Sequence, residues 1–457
     1  MVSADPGSFR DPASRVVYDG SRILRLLDQR GLEAWQALKA TSFFGKAVAD
    51  GRLIQTEETS DFPRGATGAL EHPRLPLITY PYEWTFSMMK DAALLQLDLL
   101  TDALADGITI KDATPFNIQF VSGRPIFIDL GSFEAYRSGE PWIGYRQFTR
   151  QFLFPLMLRA WVGLPFQTWL RGDMEGPTAG EMKLLLSKGQ ILRPSALMHV
   201  SLQARMEDRM SGAAVREDLK KAGFSADLIL VNVRKLRRLV ESLEWDHEVE
   251  GWSDYRSCTH VGRDRDAKSE FLSGVLDRAQ PEVVADFGAN DGHFSNIAAE
   301  SGAHVVAIDG DEPVLDDLYH RSRGKNISIV VSDLANPTPS QGWAGKERPG
   351  LFERVKPDVV IAYGVIHHLI YTASIPPRTV MEWLGSFDCV VAVEFVAPTD
   401  EMVAKLTANK LTRELHHGRT EKEFRGIIAE TFDVRSERTL ESGTRMLFEL
   451  EPRERNY

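Results

Sequence analysis

Between Val283 and Gly292 the chain reads Val-Val-Ala-Asp-Phe-Gly-Ala-Asn-Asp-Gly, an apolar run that breaks into two glycines four residues apart. An apolar run of this length bounded by glycine reads as a buried strand. Gly288 and Gly292 permit a sharp turn into a helix and let a ligand approach bare backbone. Seventeen residues after Gly292 a second run, Val305-Val306-Ala307-Ile308, ends in Asp309. That is where a doubly wound sheet places a carboxylate able to accept hydrogen bonds from ribose hydroxyls. Further β-branched runs at 327–331, 358–363 and 390–395 alternate with helical patterns near 293–301, 313–322 and 376–386. The region beyond about residue 262 therefore reads as a parallel sheet with crossover helices. Thr420-x-x-Glu423 is a capping box for a helix through Glu430, and 432–434 and 444–450 read as closing strands.

This region is too short to account for 457 residues, so further units are expected. The sequence divides into an α+β region at 1–160, a mostly helical connector at 161–250 and the α/β domain at 251–457. The clearest upstream helix runs from about Trp84 to Leu104, with Gly107 as its stop, and an amphipathic helix runs from Leu228 to near Trp245. Phe152 to Phe166 is nearly apolar but contains Pro155, Arg159, Gly163 and Pro165, and it reads as a buried helix too short to cross a bilayer. At 43% hydrophobic and 26% charged, the composition excludes a disordered chain. The amino terminus lacks the basic start and apolar core of a secretory signal. Only Cys258 and Cys389 are present, too few for a disulfide framework, which fits a reducing, cytoplasmic setting.

Charge narrows the ligand. Residues 1–250 carry 30 basic and 32 acidic side chains and residues 251–457 carry 24 and 33, so nine of the eleven excess negative charges lie in the second part. Such a domain is poorly suited to a phosphate backbone, and nucleic acid is not an expected partner. A dinucleotide fingerprint wants glycine where this turn has Asp286, and Asp291 also lies in the turn. Those carboxylates repel a pyrophosphate and favour a ligand bearing ammonium and sulfonium groups, namely S-adenosylmethionine.

Four segments, 284–292, 307–311, 331–334 and 358–369, resemble in order and spacing the motifs of class I S-adenosylmethionine-dependent methyltransferases. The resemblance implies a Rossmann-like fold in which Asp286, Gly288, Asn290 and Gly292 line the methionine end of the donor. It implies that Asp309 binds the ribose, that Asp333 and Leu334 contact the adenine, and that Tyr363 and Gly364 lie beside the methyl group. Longer phrases, Leu75 to Trp84, Lys111 to Asn117 and Glu394 to Pro398, resemble a two-part group of that superfamily that includes nodulation-related methyltransferases.

His367 and His368 follow the fourth strand at the ligand-binding edge and are the candidate catalytic residues, since an imidazole titrates where it can take a proton from an acceptor. The competing reading makes them loop anchors or walls of the donor pocket. Asn336 to Trp343, Glu347, Arg348, Glu394 and Asp400 are acceptor-side candidates, with ordinary surface chemistry as the alternative. Trp252, Tyr255 and Lys268 are candidates to close over the donor, although Lys268 reads more simply as a solvated helix residue. His416 and His417 are adjacent and point apart, and no metal-ligand set is expected.

Upstream, Asp112, Asn117 and Asp129 stand at the spacing of the catalytic and metal-binding loops of kinase-like phosphotransferases, where they would orient a hydroxyl and hold magnesium. No Gly-x-Gly loop occurs in residues 1–100, and a degenerate kinase-like unit or a plain hairpin used for recognition is preferred. The expectation is thus a methyltransferase of a small-molecule or glycan-type acceptor, with oxygen as the preferred target and the upstream region shaping recognition. A bifunctional kinase–methyltransferase, a protein methyltransferase and a donor-binding regulatory protein are the alternatives.

Overall fold

A computed structural model describes residues 2–205, 225–246, 261–408 and 420–453. It divides into two compact units, Met1–His247 with Ser340–Pro349, and Glu248–Pro339 with Gly350–Tyr457.

The first unit opens with a five-stranded antiparallel sheet of order β1-β2-β3-β5-β4, formed by Val2–Ala4, Ser14–Asp19, Arg22–Leu27, Glu57–Thr59 and Gly68–His72. The helix Gln29–Lys39 starts at Asp28, whose carboxylate caps the Gly31 amide. A long helix, Phe86–Ala105, is buried along most of its length and capped by Thr85. After it β6 (Ile108–Ile110) pairs with β9 (Phe133–Ala135), and β7 (Ile118–Val121) forms a hairpin with β8 (Arg124–Phe127). The phrase around Thr79 is held by a buried amide clasp: Gln119 accepts from the Thr79 amide at 2.8 Å and donates to its carbonyl at 3.0 Å. The Trp84 indole donates to the Thr79 hydroxyl at 2.9 Å. Residues 145–162 form one buried helical run with two π-helical turns, ended by Gly163 at φ +80°. The helix Ala226–Ser242 packs on Phe86–Ala105, pinned by Arg237 to Asp98 at 2.6 Å. Ser340–Pro349 also belongs here: Arg10 makes two hydrogen bonds to buried Glu347, and Arg348 lies over the Phe116 ring at 4.6 Å.

The second unit is a seven-stranded sheet of order β12-β11-β10-β13-β14-β16-β15. The strands are β10 (Val283–Phe287), β11 (His304–Asp309), β12 (Ile327–Val331), β13 (Val359–Ala362), β14 (Val390–Val396), β15 (Phe432–Thr439) and β16 (Arg445–Pro452). The first five are parallel, and β16 inserts antiparallel between β14 and β15. This is a Rossmann-like α/β fold. Near-continuous Val, Ile and Ala in the central strands follow from helices covering both faces. Behind β10, Phe287 stacks on Trp383 at 5.3 Å and meets Phe352 and Phe387 edge-on or tilted. Each such pair adds about 0.5–1.5 kcal/mol beyond the area it buries. The helices Glu312–Arg321, Pro377–Gly385 and Glu421–Thr431 lie within a residue or so of expectation, and Thr420 forms the capping box with Glu423.

Candidate functional site

β10 lies at the point where the strand order reverses, with β11 on one side and β13 on the other, and ligands of open α/β sheets bind beyond that point. The strand ends in a turn held by backbone: the Gly288 and Ala289 amides both donate to the Ile308 carbonyl, at 2.9 and 3.1 Å. Gly288 and Gly292 have φ of +76° and +74°. A Cβ on Gly292 would lie 2.3 Å from Leu318, and one on Gly288 would lie 3.0 Å from Val365. Both positions therefore exclude side chains through protein packing as well as through conformation.

Three acids lie at this turn, Asp286, Asp309 and Asp291, and the last pairs with Arg265 at 3.0 Å. Asp286 is 2% exposed and accepts the Ser295 hydroxyl at 2.6 Å. Burial, with Asp309 and Asp291 nearby, pushes its pKa up to about 7 in spite of that hydrogen bond. Asp309, also buried, accepts the Asn290 amide on one oxygen and the Asp311 amide on the other, each at 2.9 Å. Burial raises its pKa despite those bonds. Its carboxylate thus ties the turn after β10 to the turn after β11. Asp333 is exposed and caps the Ala335 amide at 2.8 Å, and Leu334 beside it is half-buried.

Beyond β13 the backbone turns at Gly364, φ +66°, and its amide donates to Glu394 at 2.7 Å. Glu394 also meets Lys268 at 2.8 Å and Arg445 at 3.2 Å, and Arg445 continues to Asp400 at 2.9 Å. Burial would raise the Glu394 carboxyl, but Lys268 and Arg445 outweigh it and hold it below its ordinary value. Tyr363 is buried with its ring edge-on to Phe294, and its hydroxyl lacks a hydrogen-bond partner among the described residues. His367 is 2% exposed and both its ring nitrogens lack such a partner. Burial first, then the neighbouring His368, lowers its pKa to about 3. His368 is also lowered, by burial and Arg445.

Among known proteins, the chain is 31% identical to the nodulation protein NoeA of Rhizobium meliloti (strain 1021), across 99% of this chain and 98% of that one. The chain belongs to the NoeA family. No family model matches it. Solved structures similar to part of this NoeA-family chain include a magnesium protoporphyrin IX methyltransferase from Synechocystis PCC 6803 and the N-methyltransferase NodS from Bradyrhizobium japonicum WM9. The first is 16% identical with a TM-score of 0.31, over 48% of this chain and 94% of its own. The second is 13% identical with a TM-score of 0.32, over 45% and 94%.

Several sequence readings change in the folded NoeA-family chain. Lys268 is not solvated: it is 5% exposed and ion-paired with Glu394, 126 residues away. Glu394 and Asp400 are buried partners of Arg445 instead of loop-surface acids. Glu347 is engaged by Arg10, Arg348 stacks on aromatic rings, and Trp343 is exposed. Trp252, Tyr255, Cys258, His416 and His417 lie outside the described residues. In the first unit Asp112, Asn117 and Asp129 do come close together, but each is engaged by protein. Asn117 donates to Ser132 at 3.0 Å, and Asp129 accepts Ser132 at 2.6 Å and pairs with Arg25 at 2.7 Å. The Asp112 backbone carbonyl accepts from the Asn117 side-chain Nδ2 at 3.4 Å. Among the described residues no group of three or more His, Cys, Asp or Glu is placed to hold a metal ion. No described helix is long and apolar enough to cross a membrane.

Sequence reasoning missed Ser295, Arg445 and Asp264. Asp264 is buried on the helix Val261–Ala279, one turn before Lys268 and on the same face, with one oxygen unpartnered among the described residues. The i, i+4 spacing of Asp264 and Lys268 was the available signal. Nothing local marks Arg445, whose partners are distant in sequence.

Proposed function

We propose that the C-terminal unit binds S-adenosylmethionine and transfers its methyl group to a small-molecule or glycan-type acceptor, with oxygen as the target atom. The observation that carries this reading is the turn after β10, where Asp286 is buried without an ion pair among the described residues and Asp309 ties the turns after β10 and β11 together. The residues present fit the donor. A positive ligand relieves the cost of ionising Asp286, and the buried Tyr363 hydroxyl, without a partner among the described residues, offers a polar contact.

When bound, the donor supplies an electrophilic methyl carbon on a cationic sulfur. Asp286 favours that positive charge, and Gly288, Asn290 and Gly292 form the backbone cradle. Asp309 spends one hydrogen bond per oxygen on protein, so its remaining lone pairs are free for ribose hydroxyls. Asp333 and Leu334 flank the adenine position. Glu394 fixes Gly364 and with it the turn that presents Tyr363, His367 and His368.

An imidazolium with a pKa of about 3 is too strong an acid to form near neutrality, so His367 stays a neutral imidazole there. We read His367 and His368 as walls and hydrogen-bonding groups of the site, with the rate gained by aligning the acceptor instead of by deprotonating it. The test is incubation with methyl-labelled donor and fractionated cell extract. Label in small-molecule or glycan fractions supports the reading, and label confined to protein overturns the acceptor class. Bound donor without any transfer would leave a regulatory donor-binding protein.

A further inference from the structure

The first unit contains a cavity of about 460 Å³ that the methyl-transfer reading does not use. Ligand pockets commonly measure about 300–1,000 Å³. Its charged lining is Arg25, Arg30, Lys111 and Arg137 against Asp11 and Glu134, an excess of cations in a chain of net charge -11. Its apolar lining includes Leu27, Trp35, Leu70 and Phe133, enough to cover a ring.

The floor is built around Arg25, which is 7% exposed. Its guanidinium pairs with Asp129 at 2.7 Å and donates to the buried Ser14 hydroxyl at 2.9 Å and the Ile128 carbonyl at 3.2 Å. Its Nε is buried without a partner among the described residues. Burial would raise Asp129, but Arg25, Ser132 and Lys111 together hold it below its ordinary value. At the rim Lys111 lies 3.5 Å from Asp11, and Arg30 lies 3.5 Å from Asp28. Arg137 is an exposed residue of the lining. The carboxylate that would hold a divalent cation is thus already answered by an arginine, and the spare charge facing the cavity is positive.

We propose that this cavity binds the phosphate ester of a ring-bearing small molecule directly on Arg30, Lys111 and Arg137, without a metal ion. Guanidinium groups meet phosphate oxygens through paired, charge-assisted hydrogen bonds, and the apolar wall covers the ring. An anion suits the site because, with Arg25 matched by Asp129 and Lys111 by Asp11, Arg30 and Arg137 face one remaining acid, Glu134, and the lining keeps a net positive charge.

The test is calorimetric titration of the full chain in the presence of a chelator, with AMP and glucose 6-phosphate as probes and adenosine and glucose as their uncharged counterparts. At least one phosphate is expected to bind, at least about tenfold more tightly than its uncharged counterpart. Which probe binds separates a nucleotide from a sugar source. Arg30→Ala combined with Arg137→Ala, both at exposed positions, should weaken that binding about tenfold or more and leave S-adenosylmethionine binding within about twofold. The single variant Arg137→Glu, checked for native circular dichroism, should act in the same direction. Absence of binding by both phosphates, equal binding of the uncharged counterparts, or unchanged affinity in the variants would overturn the proposal. Binding that appears only with added magnesium and disappears in Asp129→Asn would overturn its metal-free form.

Discussion

Asp286 lies within β10 and Asp129 two residues after β8, yet burial pushes the first up to about 7 while Arg25 and its neighbours hold the second below its ordinary value. In the C-terminal unit Arg265 pairs with Asp291 at 3.0 Å but buried Asp286 and Asp309 have no ion pair among the described residues, whereas the N-terminal unit answers its acid with an arginine and keeps cations to spare. Glu394 shows that this is a property of place and not of unit, because in the C-terminal unit it is matched by both Lys268 and Arg445. An unanswered buried charge points to a ligand of opposite sign, and an answered one points to architecture.

The largest effect should come from breaking the answered case. Glu394→Leu strands buried Lys268, leaves Arg445 with Asp400 alone and frees the Gly364 amide, and it should destabilise the C-terminal unit by about 3–5 kcal/mol in urea unfolding. Next, Gly292→Ala combines a left-handed backbone with a contact at 2.3 Å from Leu318. It should cost about 3 kcal/mol and remove S-adenosylmethionine binding, measured by calorimetry. Arg25→Met leaves Asp129 with only Ser132 and the more distant Lys111; because that carboxylate is also partly exposed, the expected loss is smaller, about 2 kcal/mol in thermal unfolding.

The smallest effect concerns Asp286. A carboxyl whose folded pKa of about 7 exceeds its ordinary 3.8 favours the folded state when protonated, so this contribution is full below pH 3.8 and is lost as pH rises to about 7. Ionisation in turn favours a cationic ligand, so donor affinity should rise from about pH 6 to 8 by up to about tenfold. Asp286→Asn should flatten both trends, in stability curves and in binding isotherms. A pH dependence that survives the substitution would assign it to another group.

What was legible in the sequence was local. Apolar runs, glycines and the terminal Asp309 specify the strand, the turn and the following strand within some 30 residues, and the central strands appear where periodicity put them. The antiparallel five-stranded sheet of the first unit read only as short strand-like runs, because its strands are short and its pairing is set by tertiary packing. Lys268 could not be placed, since a lysine on a helix reads as solvated until its partner is known. Arg445, Asp400 and Glu394 form one network from three separated segments, and no spacing rule joins them. The same holds for Ser340–Pro349, which lies inside the second unit's sequence but packs with the first unit's Arg10 and Phe116.

The most direct measurement is a competition of charge types at the β10 turn: calorimetric titration of the full chain with S-adenosylmethionine and, separately, with NAD, at pH 8 and low ionic strength. S-adenosylmethionine should bind in a one-to-one ratio and NAD at least about tenfold more weakly, because the acids at the turn attract a sulfonium and repel a pyrophosphate. NAD binding as tightly as S-adenosylmethionine, or no binding of S-adenosylmethionine at all, would contradict the assignment.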